Sequence, residues 1–127
     1  MSPIKMEKAE KANRLVLRLI EAINHQRTEW MEELLSAECV WEPRTSEPEG
    51  DAITGRNRII RHWKDKFAER LKYSVGIEEM MGSGLRCILF EQIEEEDSDG
   101  LRITRREVEI FEVRGEEIIK IRSYAKI

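Results

Sequence analysis

The chain has 127 residues, of which 40% are hydrophobic and 38% charged, and its net charge is −4. This length is typical of one domain and is sufficient to bury a core without disulfides or a structural metal. The acidic balance without a basic stripe disfavours a nucleic-acid partner, and no apolar run approaches the roughly 20 residues of a membrane span. The two cysteines, Cys39 and Cys87, are too few for a disulfide framework, so we expect a reduced, cytoplasmic setting.

Two helices are predicted in the first third of the chain. Ser2 and Pro3 can start the first one, which continues to Asn24. Its apolar stripe repeats at helical spacing and consists of Leu15, Val16, Leu19, Ile20 and Ile23. A second, shorter helix is expected from Thr28. Its apolar side would consist of Trp30, Met31, Leu34 and Leu35.

A short strand over residues 39–42 follows and is stopped by Pro43. Residues 46–51 form a loop rich in proline, glycine and acidic residues. Gly55 then precedes a third helix. Its core positions step mostly by four and are Ile59, Ile60, Trp63, Phe67 and Leu71.

From Tyr73 onward the hydrophobic period changes from helical to alternating. Strands are predicted over residues 73–81, 85–95, 101–113 and 117–124, and the compact turns between them contain glycine. The order is therefore helix, helix, strand, helix and a four-stranded meander. This order predicts one α+β domain over residues 1–127, with an antiparallel sheet.

Four segments resemble the SnoaL-like branch of the nuclear transport factor 2-like superfamily. They are residues 17–24 (LRLIEAIN), 34–43 (LLSAECVWEP), 54–60 (TGRNRII) and 110–124 (IFEVRGEEIIKIRSY). The resemblance implies a cystatin-like cone, in which three N-terminal helices pack in a curved mixed or antiparallel sheet that encloses a pocket for a small apolar molecule. It also implies a homodimer through the outer sheet face, no cofactor, and chemistry that varies between members.

The dimer is also indicated by the sequence itself. Both faces of the strand over residues 101–113 carry apolar residues, so both are expected to be covered. Val108 and Ile110 on one face, with Ile118 and Tyr124 on the next strand, offer apolar area for a second subunit.

Glu42 and Glu109 are the predicted catalytic residues. Glu109 shares a strand face with Phe111 and Val113, where burial would raise its pKa; the alternative is an ion pair with Arg105 or another cation. The resemblance to ketosteroid isomerases aligns Glu42 with the general base and Glu109 with the protonated donor. The isomerase tyrosine on the first helix corresponds to Leu19, so the oxyanion site would be incomplete.

A second comparison is with limonene epoxide hydrolase, which uses an Arg-x-Asp pair on one strand and an Asp on the last strand. The matching positions are residues 92–94, Gln-Ile-Glu, and Ser123, so two of the three groups are absent. His25 and His62 are too few and too far apart for a metal site. The residues expected to line the pocket, or simply to fill the core, are Leu19, Trp41, Trp63, Phe67, Phe90 and Phe111.

The sequence therefore leaves two hypotheses. The first is an enzyme that moves protons on a small apolar substrate, as an isomerase, cyclase or dehydratase does. The second is a non-catalytic ligand-binding or dimerisation module of the same fold. The paired carboxylates favour the first, while the missing tyrosine and the absence of histidine from the expected cavity favour the second.

Overall fold

The structure is a computed structural model that describes residues 3–43 and 52–125. Three helices lie in this part of the chain: α1 (Pro3–Asn24), α2 (Thr28–Leu34) and α3 (Arg56–Glu69). The strands are β1 (Leu35–Glu42), β2 (Ile53–Thr54), β3 (Arg70–Ser83), β4 (Arg86–Asp97), β5 (Arg102–Arg114) and β6 (Glu117–Ala125). The predicted cap at Ser2 and the predicted loop at 46–51 lie outside the described residues.

The strands form one mixed sheet in the order β2-β1-β6-β5-β4-β3. Every neighbouring pair is antiparallel except β1 and β6, which are parallel. The α+β architecture is confirmed. The predicted order of two helices, a strand and a third helix is confirmed, with the short strand β2 added before α3. The description of all three helices as N-terminal is not confirmed, because β1 and β2 precede α3. Gly55, with φ of 101°, turns the chain from β2 directly into this helix, and its N–H donates to the Cys39 carbonyl at 2.8 Å.

Two element boundaries and the exposure of one side chain differ from the sequence prediction. β1 begins at Leu35, because Leu35 and Cys39 are both buried strand residues in contact with the core. Trp30 was predicted on the apolar side of α2, but 43% of its surface is exposed, and its ring lies against His25 and Arg27 instead. Leu71 was predicted in the third helix and belongs to β3.

A single hydrophobic cluster fills the space between the helices and the inner face of the sheet. Leu19, Trp63 and Phe111 are all buried in it, as the sequence predicts. Two contacts fix α1 on β3. The Asn24 side chain donates to the Val75 carbonyl and accepts from the Val75 N–H, at 3.0 and 2.7 Å. At the other end β3 approaches α1 so closely that a Cβ at Gly82 would lie 2.7 Å from the Ala9 carbonyl oxygen.

The outer face of the sheet carries a half-exposed apolar patch. Cross-strand pairs align Phe90 with Val108 and Tyr124, and Ile88 with Ile110. Ile118, which the sequence placed with this patch, is instead fully buried in the core. The reason is a register irregularity between residues 112 and 113 of β5, which shifts the pairing where Ile118 meets Val113. No helix in the described ranges is long and apolar enough to cross a membrane.

We predict that this patch, comprising Ile88, Phe90, Val108, Ile110 and Tyr124, joins two copies of the chain. Val108→Asp should convert a dimer to a monomer in sedimentation velocity at micromolar concentration, because a charge in an apolar interface is costly to desolvate. Thr104→Asp, at an exposed position near the start of the same strand, is the matched control and should stay dimeric. A monomeric wild type would remove the prediction.

Candidate functional site

The inner face of the sheet changes from apolar to acidic along β4 and β5. Glu91, Glu95 and Glu107 are buried there with 2%, 7% and 7% of their surface exposed, and Glu109 is half-buried. Arg105 lies beside them on the same face of β5. Strand alternation produces this grouping, because all five residues occupy inward positions on two neighbouring strands. The same alternation lines the other end of these strands with the core residues Cys87, Leu89, Phe111 and Val113.

A chain of hydrogen bonds orients Glu109. The Trp41 indole N–H donates to the Ser123 Oγ at 3.0 Å, and the Ser123 hydroxyl donates to Glu109 Oε2 at 2.6 Å. An indole nitrogen can only donate, so Ser123 must accept from it and direct its single proton to Glu109. This oxygen of Glu109 is therefore held as an acceptor.

Glu91 and Glu109 meet side chain to side chain across neighbouring strands, close enough for their carboxyls to share a hydrogen bond when one of them is protonated. Two carboxylates in such contact repel each other when both are ionised, and Glu91 is closed off from water, so we expect the pair to hold a proton at neutral pH. Burial raises the pKa of Glu91, and the neighbouring Glu109 charge raises it further. Burial also raises the pKa of Glu109, while its hydrogen bonds from Glu91 and Ser123 oppose that shift. Because Ser123 already donates to Glu109, we assign the shared proton to Glu91, which makes Glu91 the donor of the pair and Glu109 the acceptor.

Arg105 does not pair with Glu109. Its guanidinium donates to Glu107 at 2.6 Å and to Glu95. Glu95 is also approached by Lys66 and Arg70, each at 3.7 Å. The ion pair that the sequence left open as an alternative for Glu109 is therefore made by other carboxylates.

Aromatic rings from three elements lie beside the acidic residues. Trp41 and Trp63 stack at 5.6 Å between ring centroids, with 8° between their planes. Tyr73 meets Trp63 edge-on at 5.3 Å, and Phe67 lies 5.6 Å from Trp63. Burial raises the pKa of the Tyr73 phenol, whose titration also responds to the charges of the nearby arginine and carboxylates. A neutral phenol is thus available next to the carboxyl pair.

The structure brings together only some of the predicted site residues. Leu19, Trp41, Trp63 and Phe111 are buried on the inner side, and Phe67 is partly buried against the same cluster. Phe90 was predicted to line the pocket, but it lies on the outer face because it alternates with Leu89 and Glu91.

Glu42 and Glu109 do not meet. Glu42 alternates with the buried Trp41 and pairs in register with Arg122 on the outer face, where Lys120 lies 3.6 Å from its carboxylate. The partner of Glu109 is Glu91. Gln92 and Glu94, the positions matched to the epoxide hydrolase pair, alternate with the buried Glu91 and Ile93 and so face outward.

Three members of the site, Glu91, Tyr73 and Ser123, were not predicted to act. Alternation along β4 could have identified Glu91, since it shares a face with Cys87, Leu89 and Ile93. Among the described residues no group of three or more histidine, cysteine or acidic side chains is arranged to hold a metal ion.

We expect Glu91→Gln to stabilise the protein at pH 7. The raised pKa of Glu91 means that the folded state binds its proton more tightly than the unfolded chain. The wild type should then lose stability as the pH rises from about 4.3, the value for an unfolded glutamate, toward the folded pKa. A glutamine has no such cost, so the variant should gain about 1–3 kcal/mol at pH 7 and nothing near pH 4.

The measurement is urea unfolding at several pH values between 4 and 8. Glu94→Gln, at an exposed position of the same strand, is the control and should follow the wild type. If Glu91→Gln were less stable than the wild type at pH 7, Glu91 would be an ionised, paired carboxylate.

Comparison with known proteins agrees with this architecture. A family model for the SnoaL-like domain matches residues 16–121. The structure of an LEH-like epoxide hydrolase from M. tuberculosis superposes with a TM-score of 0.79 at 17% identity, covering 93% of this chain and 84% of that one. No match was found among curated proteins.

Two further structures have the same fold. An NTF2-like protein of unknown function from Mesorhizobium loti is 21% identical, with a TM-score of 0.79 and 94% of each chain covered. A protein with a ketosteroid isomerase-like fold from Catenulispora acidiphila, in complex with trimethylamine, is 17% identical, with a TM-score of 0.77 and coverage of 89% and 85%. At these identities the likeness establishes the fold.

Proposed function

The chain belongs to the SnoaL-like domain family, and from that premise we propose that it binds a small, largely apolar molecule beside Glu109 and transfers protons to and from it. The observation that carries the proposal is the close approach of the Glu91 and Glu109 carboxyl groups on the inner face of two neighbouring strands. A buried carboxyl pair costs stability, so its presence in a core calls for a functional reason. The aromatic rings of Trp63 and Tyr73 would supply the apolar contact.

The two carboxyls have different roles in the proposed reaction. Glu109 is the base, because Ser123 fixes one of its oxygens as an acceptor. Glu91 is the acid, because burial and its charged neighbour keep it protonated near neutral pH. One side chain removes a proton from a carbon or a water molecule while the other supplies a proton to an oxygen of the ligand. Tyr73 can donate a further hydrogen bond to that oxygen. In the ketosteroid isomerase comparison this role belongs to a tyrosine on the first helix, where this chain has Leu19.

The proposal is tested by hydrogen–deuterium exchange of small ketones in D2O, followed by proton NMR. Wild-type protein should accelerate exchange at the carbon next to the carbonyl for at least one apolar ketone in a panel of cyclic and aryl compounds. Glu94→Gln should retain this activity, because its carboxylate lies on the outer face. A wild type that binds members of the panel, seen as shifted amide resonances, but exchanges none of them would instead support the non-catalytic module.

Epoxide opening is a second candidate, favoured by one specific observation. Arg105 and Glu107 form an Arg-x-Glu pair on one strand, and Glu107 lies directly opposite Glu91 in the sheet register. β5 therefore carries an arginine and an acid two residues apart, the pattern that limonene epoxide hydrolase has on one strand. Residues 92–94, which were aligned with that pattern, lack the arginine. Turnover of terpene-like epoxides in H2¹⁸O to singly labelled diols would favour this reaction over proton exchange at carbon.

A further inference from the structure

A groove of about 610 Å³ lies between helix α3 and the short strand β2, apart from the acidic site on the inner sheet face. This volume is within the usual range of small-molecule pockets in proteins. Most of the lining residues belong to α3, and two come from β2 and the position before it. They are Asn57, Arg58, Arg61, His62 and Asp65, together with Ala52 and Ile53.

The spacing of the lining residues along α3 places them on one side of the helix. Positions 57, 58, 61, 62 and 65 follow the repeat i, i+1, i+4, i+5 and i+8. Ile59, Ile60 and Trp63 lie between them in sequence and are buried against the core. The polar side of a helix is ordinarily open to solvent, but here β2 supplies a second wall. Ile53, which is half-buried in that wall, gives the groove an apolar surface.

Two guanidinium groups dominate the charge of the groove. Arg58 and Arg61 are three residues apart on the helix, so their Cβ atoms lie about 5–6 Å from each other. Both side chains are exposed, and neither forms an ion pair within the part of the chain that the structure describes. Asp65, one turn further along, is the single acid among the lining residues. The groove therefore carries an excess of positive charge, although the whole chain has a net charge of −4.

His62 adds a partly desolvated hydrogen-bonding group to the same groove. It is half-buried, and its ring meets the Trp41 ring edge-on at 4.8 Å between centroids. The pKa of His62 is lowered first by burial and then by the charge of Lys66, while Asp65 and Glu69 oppose the shift. A neutral imidazole still has one N–H, which can donate to an oxygen of a ligand.

We propose that this groove binds a small organic oxyanion, a carboxylate or a phosphate monoester, through Arg58 and Arg61, with the apolar part of the molecule against Ile53. The planar guanidinium group is suited to both anions, because its N–H donors match two oxygens at once. Two guanidinium groups balance the double charge of a phosphate monoester, so we expect a phosphate to bind more tightly than a carboxylate of the same size. The site is independent of the proposed proton transfer at Glu109.

The test is a proton NMR titration of the histidine rings at pH 7 and constant ionic strength, with phenyl phosphate, benzoate and benzyl alcohol as probes. The chain has only two histidines. The His62 resonances should shift with both anions and not with the alcohol, and the pKa of His62 should rise when an anion is bound. His25, which lies against Trp30, is the internal control and should not respond. Unchanged His62 resonances with both anions, or equal shifts with the alcohol, would overturn the inference.

Charge-changing variants on α3 locate the binding site. Arg58→Gln and Arg61→Gln should each weaken phenyl phosphate binding by about tenfold or more, since each removes hydrogen bonds to a charged group. Lys64→Gln removes the same charge from an exposed position outside the groove and should change the affinity by less than about twofold. Asp65→Asn should tighten binding, because it removes the acid from the groove. If Lys64→Gln weakened binding as much as Arg61→Gln, anions would be attracted by the general charge of the helix and the site would be disproved.

Discussion

Glu109→Gln is expected to lower proton transfer by about 10²–10⁴-fold, the usual contribution of a positioned general base. The amide oxygen of the introduced glutamine can still accept from Ser123, so the hydrogen-bond chain from Trp41 is preserved while the basic oxygen is lost. The measurement is the rate of deuterium incorporation into a bound ketone by NMR. A rate close to that of the wild type would show that Glu109 is not the base.

The same variant should remain folded and be as stable as the wild type or more so at pH 7. The pKa of Glu109 is raised in the folded state, mainly by burial. Its contribution to stability therefore falls as the pH rises from about 4.3 and stops falling above the folded pKa. Replacing Glu109 with glutamine removes a negative charge from the interior, so the variant does not lose stability in this way as the pH rises. A decrease in stability at pH 7 would indicate that the Glu109 carboxylate is held by a cation, as Glu107 is held by Arg105.

Glu42 provides the test of the original sequence prediction. Its carboxylate faces the outer side of the sheet near Lys120, and the proposed function uses Glu91 where the sequence prediction used Glu42. If Glu42→Gln alone abolished exchange, the base would be Glu42 and the pair on the inner face would serve another purpose. If it leaves exchange intact and Glu109→Gln does not, the inner pair is sufficient.

Whether a site residue can be predicted from the sequence depends on how far along the chain its contacting residues lie. Glu109 could be identified from local alternation, because Phe111 and Val113 are two and four residues away on the same strand. Glu42 could have been assigned to the outer face by the same rule, since the neighbouring Trp41 faces the core. The prediction instead followed the family alignment, which matches segments but does not preserve the direction of each side chain when identity is low.

The contacts that join distant strands were not accessible to pattern reasoning. Trp41 and Ser123 are 82 residues apart and meet only because β1 pairs in parallel with β6. The sequence predicted a meander of four strands, which specifies β3 to β6 but not where β1 attaches. For the same reason Ser123, compared in the sequence with a missing catalytic acid, could not be recognised as the group that orients Glu109.

Trp63→Ala is expected to cost about 3–5 kcal/mol of unfolding free energy, the range for deleting a large buried aromatic side chain. Only 8% of Trp63 is exposed, and its ring contacts Trp41, Phe67 and Tyr73 at centroid distances of 5.3–5.6 Å. Because these residues come from α3, β1 and β3, no single element can move in to fill the cavity. Guanidinium unfolding at pH 7, followed by circular dichroism, provides the measurement.

Trp30 is the matched control for that experiment. It is also a tryptophan on a helix, but 43% of its surface is exposed and its ring lies against His25 and Arg27. Trp30→Ala should therefore change stability by less than about 1 kcal/mol. Trp63→Phe should lie between the two, since a smaller ring keeps part of the stack against Trp41. If Trp63→Ala cost no more than Trp30→Ala, the aromatic cluster would not be part of the folding core, and its role beside Glu109 would rest on ligand binding alone.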